Sequence, residues 1–99
     1  MNTPILNKSS GSQLLKTIII DDEVSIRETL HAFLSKYCPQ VKVIGEAGNV
    51  EAAEALIRSN PPDLLLLDIH LVGGTGFDLL NRFEKPSFKV IFITAHNEY

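Results

Sequence analysis

The chain has little of the chemistry that marks several large classes of protein. Its 99 residues include one cysteine, Cys38, and no tryptophan, and nine lysines and arginines stand against twelve aspartates and glutamates. A single cysteine excludes a framework of intrachain disulfides and is typical of a reducing compartment. The formal net charge is -3 and the basic residues are scattered, which argues against a nucleic-acid-binding surface on this domain.

Long apolar runs are also lacking. No stretch is long enough to cross a bilayer, and the N-terminus shows no apolar segment of the kind found in secretory signals. We therefore expect a cytoplasmic protein with no membrane partner. The length and the 44% of hydrophobic residues suit one small domain with one core. Residues 1–15 are largely polar and aperiodic, so we expect a mobile N-terminal tail before a domain that spans residues 16–99.

The domain is organised around the apolar stretch Leu64–Leu67, which lies between Pro61-Pro62 and Asp68. Four leucines are too few for a free-standing helix, and they predict a strand buried on both faces of a parallel sheet. Asp68 then stands at the carboxyl end of that strand, where open α/β sheets bind their ligands. A flexible loop with three glycines is predicted to follow, from Ile69 to Gly76.

Three further apolar segments predict strands, and three segments with helical periodicity separate the strands. The predicted strands are Leu14–Ile20, Val41–Gly45 (nearer the sheet edge) and Val90–Ile93; the predicted helices are Val24–Tyr37, a segment capped by Asn49 and ended by Asn60, and Phe77–Phe83, whose aromatic stripe is predicted to be core. This alternation predicts an α/β fold with a parallel sheet, helices on both faces and right-handed crossovers.

Carboxylates stand at the carboxyl ends of two of these strands. Asp21 and Asp22 follow the first strand, and Asp68 follows the leucine strand. If the two strands are neighbours, the three carboxylates converge at a topological switch point. At a separation of about 4 Å, each pair repels by about 4 kcal/mol at an effective dielectric near 20. No nearby basic residue compensates them, so we predict a Mg²⁺ site, beside which an aspartate could attack a phosphoryl group.

The order of these motifs resembles the receiver domain of two-component response regulators. The resemblance covers residues 16–99 and is carried by Ile18–Glu23, Leu65–Ile69, Gly76 and Ile91–Ala95. It implies a flavodoxin-like, doubly wound parallel sheet of order 2-1-3-4-5. It also implies a phosphoacceptor signalling domain rather than an enzyme in its own right, with a sensor histidine kinase as its partner.

The same resemblance assigns roles to individual residues. It implies that Asp68 accepts the phosphoryl group and that Thr94 hydrogen-bonds that group. It further implies that Asp22 binds Mg²⁺ directly, that Asp21 assists, often through water, and that the backbone carbonyl of His70 completes the protein ligands together with Asp68.

The chain departs from the family pattern in two respects. Val72 stands where the family usually has proline. The family's fourth helix, fifth strand and fifth helix, with the lysine that bonds the phosphoryl group, have no counterpart before Tyr99, so we expect a receiver domain truncated after its fourth strand. Lys85 precedes that strand and lies at the opposite edge of the sheet, so it cannot be this lysine. We expect the open Val90–Ile93 edge to support self-association.

Residues 94–99 also resemble, more weakly, receivers that precede a LytTR-type DNA-binding domain. DNA would then be a partner only through an output domain outside this chain. Two other functions stay open at this point. One is a protein-interaction module that takes no phosphate because the lysine is missing. The other is a Mg²⁺-dependent phosphatase with Asp68 as nucleophile, although His70 occupies the position where that chemistry usually has a second acid. His31, His70 and His96 form no ligand set.

Overall fold

The main sheet has four parallel strands. The computed structural model describes residues 14–93. The strands are β1 (Leu15–Ile20), β2 (Val41–Ala47), β3 (Leu64–Asp68) and β6 (Lys89–Ile93), in the order β2-β1-β3-β6. Because β6 is the fourth strand of this sheet along the chain, the predicted order 2-1-3-4 and the flavodoxin-like parallel α/β architecture are confirmed. The second strand lies at the sheet edge, as predicted.

Three helices connect these strands: α1 (Val24–Tyr37), α2 (Val50–Ser59) and α3 (Gly76–Leu80). The first begins and ends at the predicted residues. The Asn49 side chain caps α2 by accepting a hydrogen bond from the Ala52 amide at 2.7 Å, also as predicted. The third helix is shorter than the predicted span 77–83. Within residues 14–93, no helix combines the length and the apolar character that a membrane crossing requires.

The segment predicted as a loop after β3 contains a small antiparallel hairpin. Its strands are β4 (His70–Leu71) and β5 (Gly74–Thr75). Gly73 turns the chain with a φ of +90°, in the left-handed region that favours glycine. The carbonyl of Val72 accepts a hydrogen bond from the Val50 amide at 3.2 Å, so the hairpin is tied to the start of α2.

The main core lies between the sheet and the pair α2 and α3. Leu65 and Leu67 of β3 are 0% exposed on this face. On the opposite face Leu66 is 7% exposed, which agrees with a strand buried on both sides. The core cluster comprises Ile18, Ile20, Ala47, Val50, Ala53, Ile57, Leu65, Leu67, Leu71 and Leu79.

Aromatic side chains on two of the helices are largely exposed. Phe77 is 52% exposed and contacts the Phe92 ring at 5.0 Å, so the prediction that the whole α3 stripe is core is wrong; Leu79 is its fully buried member. Phe33 and Tyr37 of α1 are 53% and 60% exposed and contact each other. Helical periodicity identifies the apolar side of a helix, but it does not show how much of that side another element covers.

Candidate metal and phosphoacceptor site

The strand register brings three carboxylates together at one edge of the sheet. Ile20 of β1 pairs with Leu67 of β3, so Asp21 and Asp68 follow at the same level on adjacent parallel strands. Asp22 is the next residue after Asp21. One carboxylate oxygen from each aspartate lies within 4.8 Å of the other two. The structure therefore brings together the three side chains that the sequence places at the site.

The three aspartates differ in burial. Asp21 and Asp68 are each 1% exposed, whereas Asp22 is exposed. Burial raises the pKa of the Asp21 carboxyl, and the negative charges of Asp68 and Asp22 raise it further. A hydrogen bond of 2.9 Å from the Glu23 amide to Asp21 Oδ1 opposes this rise without cancelling it. The folded chain thus holds a buried carboxylate whose charge is poorly compensated.

No basic side chain within residues 14–93 forms an ion pair with these three carboxylates. The ion pairs of that part of the chain involve Glu46, Glu51 and Glu54 instead. A group of anionic oxygens at short range, two of them from buried residues, suits a hard divalent cation such as Mg²⁺. The donor set therefore fits the ion that the sequence predicts.

The hairpin begins directly beside Asp68. The His70 amide approaches Asp68 Oδ1 at 3.5 Å, a long contact. The Gly76 amide donates to the Ile69 carbonyl at 2.7 Å and closes the loop after β3. These contacts place the His70 backbone next to the carboxylate group. Its carbonyl as a metal ligand stays a prediction.

Close packing fixes the backbone at Asp68. A Cβ atom added at Gly76 would lie 2.7 Å from the Asp68 carbonyl oxygen and 3.0 Å from Leu67 Cγ. Only glycine allows α3 to begin this close to the end of β3. A capping box holds the start of the helix: the Thr75 hydroxyl accepts from the Asp78 amide at 3.1 Å, and the Asp78 carboxylate accepts from the Thr75 amide at 2.8 Å. The spacing Thr-x-x-Asp could have signalled this cap in the sequence.

Thr94 lies outside the described residues, so its role stays a prediction. Its predecessor Ile93 pairs with Asp68 across β3 and β6. Lys85 lines a cleft of about 270 Å³ together with Pro61 and Pro62, which precede β3. That cleft lies at the end of β3 opposite Asp68, in agreement with the inference that Lys85 cannot serve the site.

Sequence reasoning missed Arg27. Its Nη1 donates a hydrogen bond of 2.6 Å to the backbone carbonyl of Asp21, and its Nε donates to Glu46 Oε1 at 3.3 Å. The partners are 6 and 19 residues away along the chain, and neither spacing corresponds to a contact within a helix. Only the assembled sheet reveals this contact.

Comparison with known proteins agrees with the fold. Residues 17–99 match the family model of the response regulator receiver domain. The chain is 38% identical over 88 residues to the sensory transduction protein LytT of Bacillus subtilis, which is 87% of this chain and 36% of LytT. It is 38% identical over 85 residues to the transcriptional regulatory protein CitB of Klebsiella pneumoniae, which is 84% of this chain and 36% of CitB. The chain thus spans about a third of the length of these relatives.

A solved structure shares the architecture. The signal receiver domain of the response regulator NarL from Mycobacterium tuberculosis superimposes with a TM-score of 0.76 at 32% identity, covering 87% of this chain and 70% of that domain. With the family match over residues 17–99, the parallel sheet and the carboxylates at its edge, this chain belongs to the response regulator receiver domain family and has its phosphoacceptor signalling role.

Proposed function

We propose that Asp68 is the residue that accepts the phosphoryl group and that the donor is a sensor histidine kinase. The observation that carries this assignment is the position of Asp68. It ends the central strand β3, is 1% exposed, and has a carboxylate oxygen within 4.8 Å of those of Asp21 and Asp22. Membership of the receiver family supports the class of reaction.

The three carboxylates differ in hydrogen bonding and in solvent exposure, and the difference favours Asp68 as the nucleophile. Asp21 Oδ1 already accepts the Glu23 amide at 2.9 Å, and Asp22 is exposed to solvent. The Asp68 carboxylate receives one hydrogen bond within the described part of the chain, the 3.5 Å contact from the His70 amide. A buried carboxylate whose oxygens accept only a weak hydrogen bond has little solvation to lose when it attacks phosphorus.

The phosphoryl group passes from a histidine of the kinase to Asp68. A carboxylate oxygen of Asp68 attacks the phosphorus of a phosphohistidine, an O–P bond forms, and the N–P bond breaks. The imidazole leaves with the electron pair of that bond and takes a proton, and Asp68 becomes an aspartyl phosphate. Asp21 and Asp22, with Asp68 and the His70 carbonyl, would hold Mg²⁺. When bound, this ion neutralises charge on the transferred oxygens.

The output of the signal lies outside this chain in our proposal. This chain matches only 36% of the length of LytT and of CitB, and CitB is described as a transcriptional regulatory protein. We propose that phosphorylation at Asp68 controls an output region that regulates transcription. The acidic balance of this chain, -3 at neutral pH, leaves contact with DNA to that region.

We also propose that the 99-residue chain associates with a second copy through β6. Within residues 14–93, β6 pairs with β3 only, and Ile91 and Phe92 are 52% and 41% exposed. A strand edge with free backbone groups beside exposed apolar side chains favours pairing with another chain. A two-fold arrangement would continue the sheet from one copy to the next.

Labelling with a small phosphodonor tests the proposed function. The chain is incubated with acetyl phosphate and Mg²⁺, and the modified residue is located by mass spectrometry in the unmutated chain and in Asp68→Asn. A phosphoryl group on Asp68 supports the proposal, and unchanged labelling of Asp68→Asn contradicts it.

A further inference from the structure

Arg27 connects the metal-binding end of β1 to β2. It lies in the first half of α1, and its side chain is 17% exposed. Nη1 donates to the Asp21 carbonyl at 2.6 Å while Nε donates to Glu46 Oε1 at 3.3 Å. The planar guanidinium can make both contacts at once because its donors point in fixed, different directions.

The surrounding residues hold the Arg27 guanidinium and both of its hydrogen-bond acceptors in place. A Cβ atom added at Gly48 would lie 3.0 Å from Arg27 Nη1, so the absence of a side chain at residue 48 leaves room for the guanidinium. Glu46 is held from a second side by Nδ1 of His31 at 3.0 Å. The Asp21 amide donates to the Ala47 carbonyl at 3.1 Å. The backbone of Asp21 is thus bound through its amide by β2 and through its carbonyl by Arg27.

We propose that Arg27 is a positioning residue for metal binding. The Asp21 carbonyl lies in the peptide that joins Asp21 to Asp22, so the hydrogen bond from Arg27 fixes the orientation of the backbone from which both carboxylates project. Their distance to Asp68 depends on that orientation, since Asp68 projects from the other strand. This inference rests on the proposed metal site and adds a residue that touches none of the reacting atoms.

The direction in which metal affinity changes when Arg27 is removed distinguishes a positioning role from a purely electrostatic one. A fixed positive charge beside the carboxylates repels a cation, so if its charge were all that mattered, removing Arg27 would strengthen metal binding. If Arg27 acts by positioning, its removal weakens metal binding. Loss of a group that orients metal ligands typically costs about 10-fold or more in affinity.

Titration with Mn²⁺ as a stand-in for Mg²⁺ measures this directly, because the paramagnetic resonance signal of free Mn²⁺ reports the fraction bound. We expect Arg27→Gln to raise the Kd for Mn²⁺ by about 10-fold. Gly48→Ala should also raise the Kd for Mn²⁺, although it changes no charge, because the added methyl group displaces the guanidinium. Arg27→Lys keeps the positive charge but can make only one of the two hydrogen bonds at a time. Its Kd for Mn²⁺ should therefore lie between those of the unmutated chain and Arg27→Gln.

Arg58 provides a matched control. On α2 it donates from Nη2 to the Arg82 carbonyl at 2.8 Å and from Nε to Glu54 Oε2 at 3.0 Å, which is the same pair of contacts far from the acidic cluster. Arg58→Gln should leave the Kd for Mn²⁺ unchanged. Circular dichroism shows which variants are folded, and if Arg27→Gln is not, Arg27→Lys and Gly48→Ala decide the result.

The outcomes separate the two proposals. If the unmutated chain binds Mn²⁺, Asp22→Asn does not, and the Arg27 and Gly48 variants bind as tightly as the unmutated chain or more tightly, the positioning role is overturned while the metal site stands. If the unmutated chain binds no Mn²⁺, or Asp22→Asn binds it equally well, the metal site and the positioning role are both overturned.

Discussion

Asp21 directly follows β1 and Asp68 ends the neighbouring parallel strand β3 at the same level. A carboxylate oxygen of one lies within 4.8 Å of an oxygen of the other, although each residue is only 1% exposed. Two buried like charges at this range destabilise the fold unless a cation joins them or one takes up a proton.

Mg²⁺ should stabilise the folded chain, and Asp22→Asn should remove most of this effect. A ligand that binds only the folded state at about 100 times its Kd adds about 2.7 kcal/mol to the free energy of unfolding. Thermal unfolding followed by circular dichroism, with Mg²⁺ and with a chelator, measures the gain. Glu51→Gln removes one negative charge that is 81% exposed and paired with Arg82 rather than part of the cluster, so it should keep the Mg²⁺ effect. Coincident midpoints for the unmutated chain would show that the carboxylates do not form a metal site.

Without metal, Asp21 should make the stability of the chain depend on pH in a definite direction. Its folded pKa is raised above the ordinary value of 3.8, chiefly by burial, so the folded state binds the proton more tightly than the unfolded state. The free energy of unfolding therefore falls as pH rises from about 3.8 through the raised pKa, and the unfavourable contribution is fully present above it.

Asp21→Asn removes that contribution while keeping an oxygen that can accept the Glu23 amide. In the presence of a chelator at pH 7, this variant should be more stable than the unmutated chain, and the difference should shrink as the pH is lowered toward 3.8. Urea unfolding at a series of pH values tests it. A variant that is less stable than the unmutated chain by the same amount at every pH would contradict the prediction.

Gly76→Ala should destabilise the chain by about 1–3 kcal/mol, the usual cost of forcing an extra methyl group into a packed site. The new Cβ would meet the Asp68 carbonyl oxygen at 2.7 Å, and a backbone atom of the central strand cannot easily move. Gly45→Ala is the matched control, because its Cβ would meet Leu56 Cδ2 at 2.8 Å, at the flexible end of a side chain. Urea denaturation should show the larger loss for Gly76→Ala, and equal losses would contradict this account of the close approach.

The 99-residue chain should self-associate in solution, and Ile91→Lys should reduce the association. A lysine in an exposed edge strand opposes pairing with a second chain. Light scattering at several concentrations measures the mass. Val24→Lys is a suitable control, because Val24 is 56% exposed but lies on α1 rather than on the edge strand. A monodisperse monomer of the unmutated chain that unfolds cooperatively would show that the β6 edge is harmless.

The main sheet and the carboxylate cluster could be predicted because both depend on short-range patterns. Two segments each predict a buried strand that is followed by acidic residues. They are Leu64–Leu67 with Asp68, and Ile18–Ile20 with Asp21 and Asp22. Parallel pairing then brings the carboxyl ends of the two strands together.

The features that sequence reasoning missed depend on contacts between distant segments. Each strand of the β4–β5 hairpin is only two residues long. The hairpin is held partly by a hydrogen bond from the Val50 amide to the carbonyl of Val72, which lies 22 positions later in the chain. Arg27 gains its position from Asp21 and from Glu46 on β2. The exposure of Phe77 depends on what covers α3, which periodicity does not reveal.

The central claim is that Asp68 is the phosphoacceptor, and phosphorylation by acetyl phosphate in the presence of Mg²⁺ tests it most directly. Intact-mass and peptide mass spectrometry should find one phosphoryl group, on Asp68, in the unmutated chain and none in Asp68→Asn. Asp21→Asn and Asp22→Asn should lower the yield without moving the label. Labelling of Asp68→Asn at the level of the unmutated chain would contradict the account.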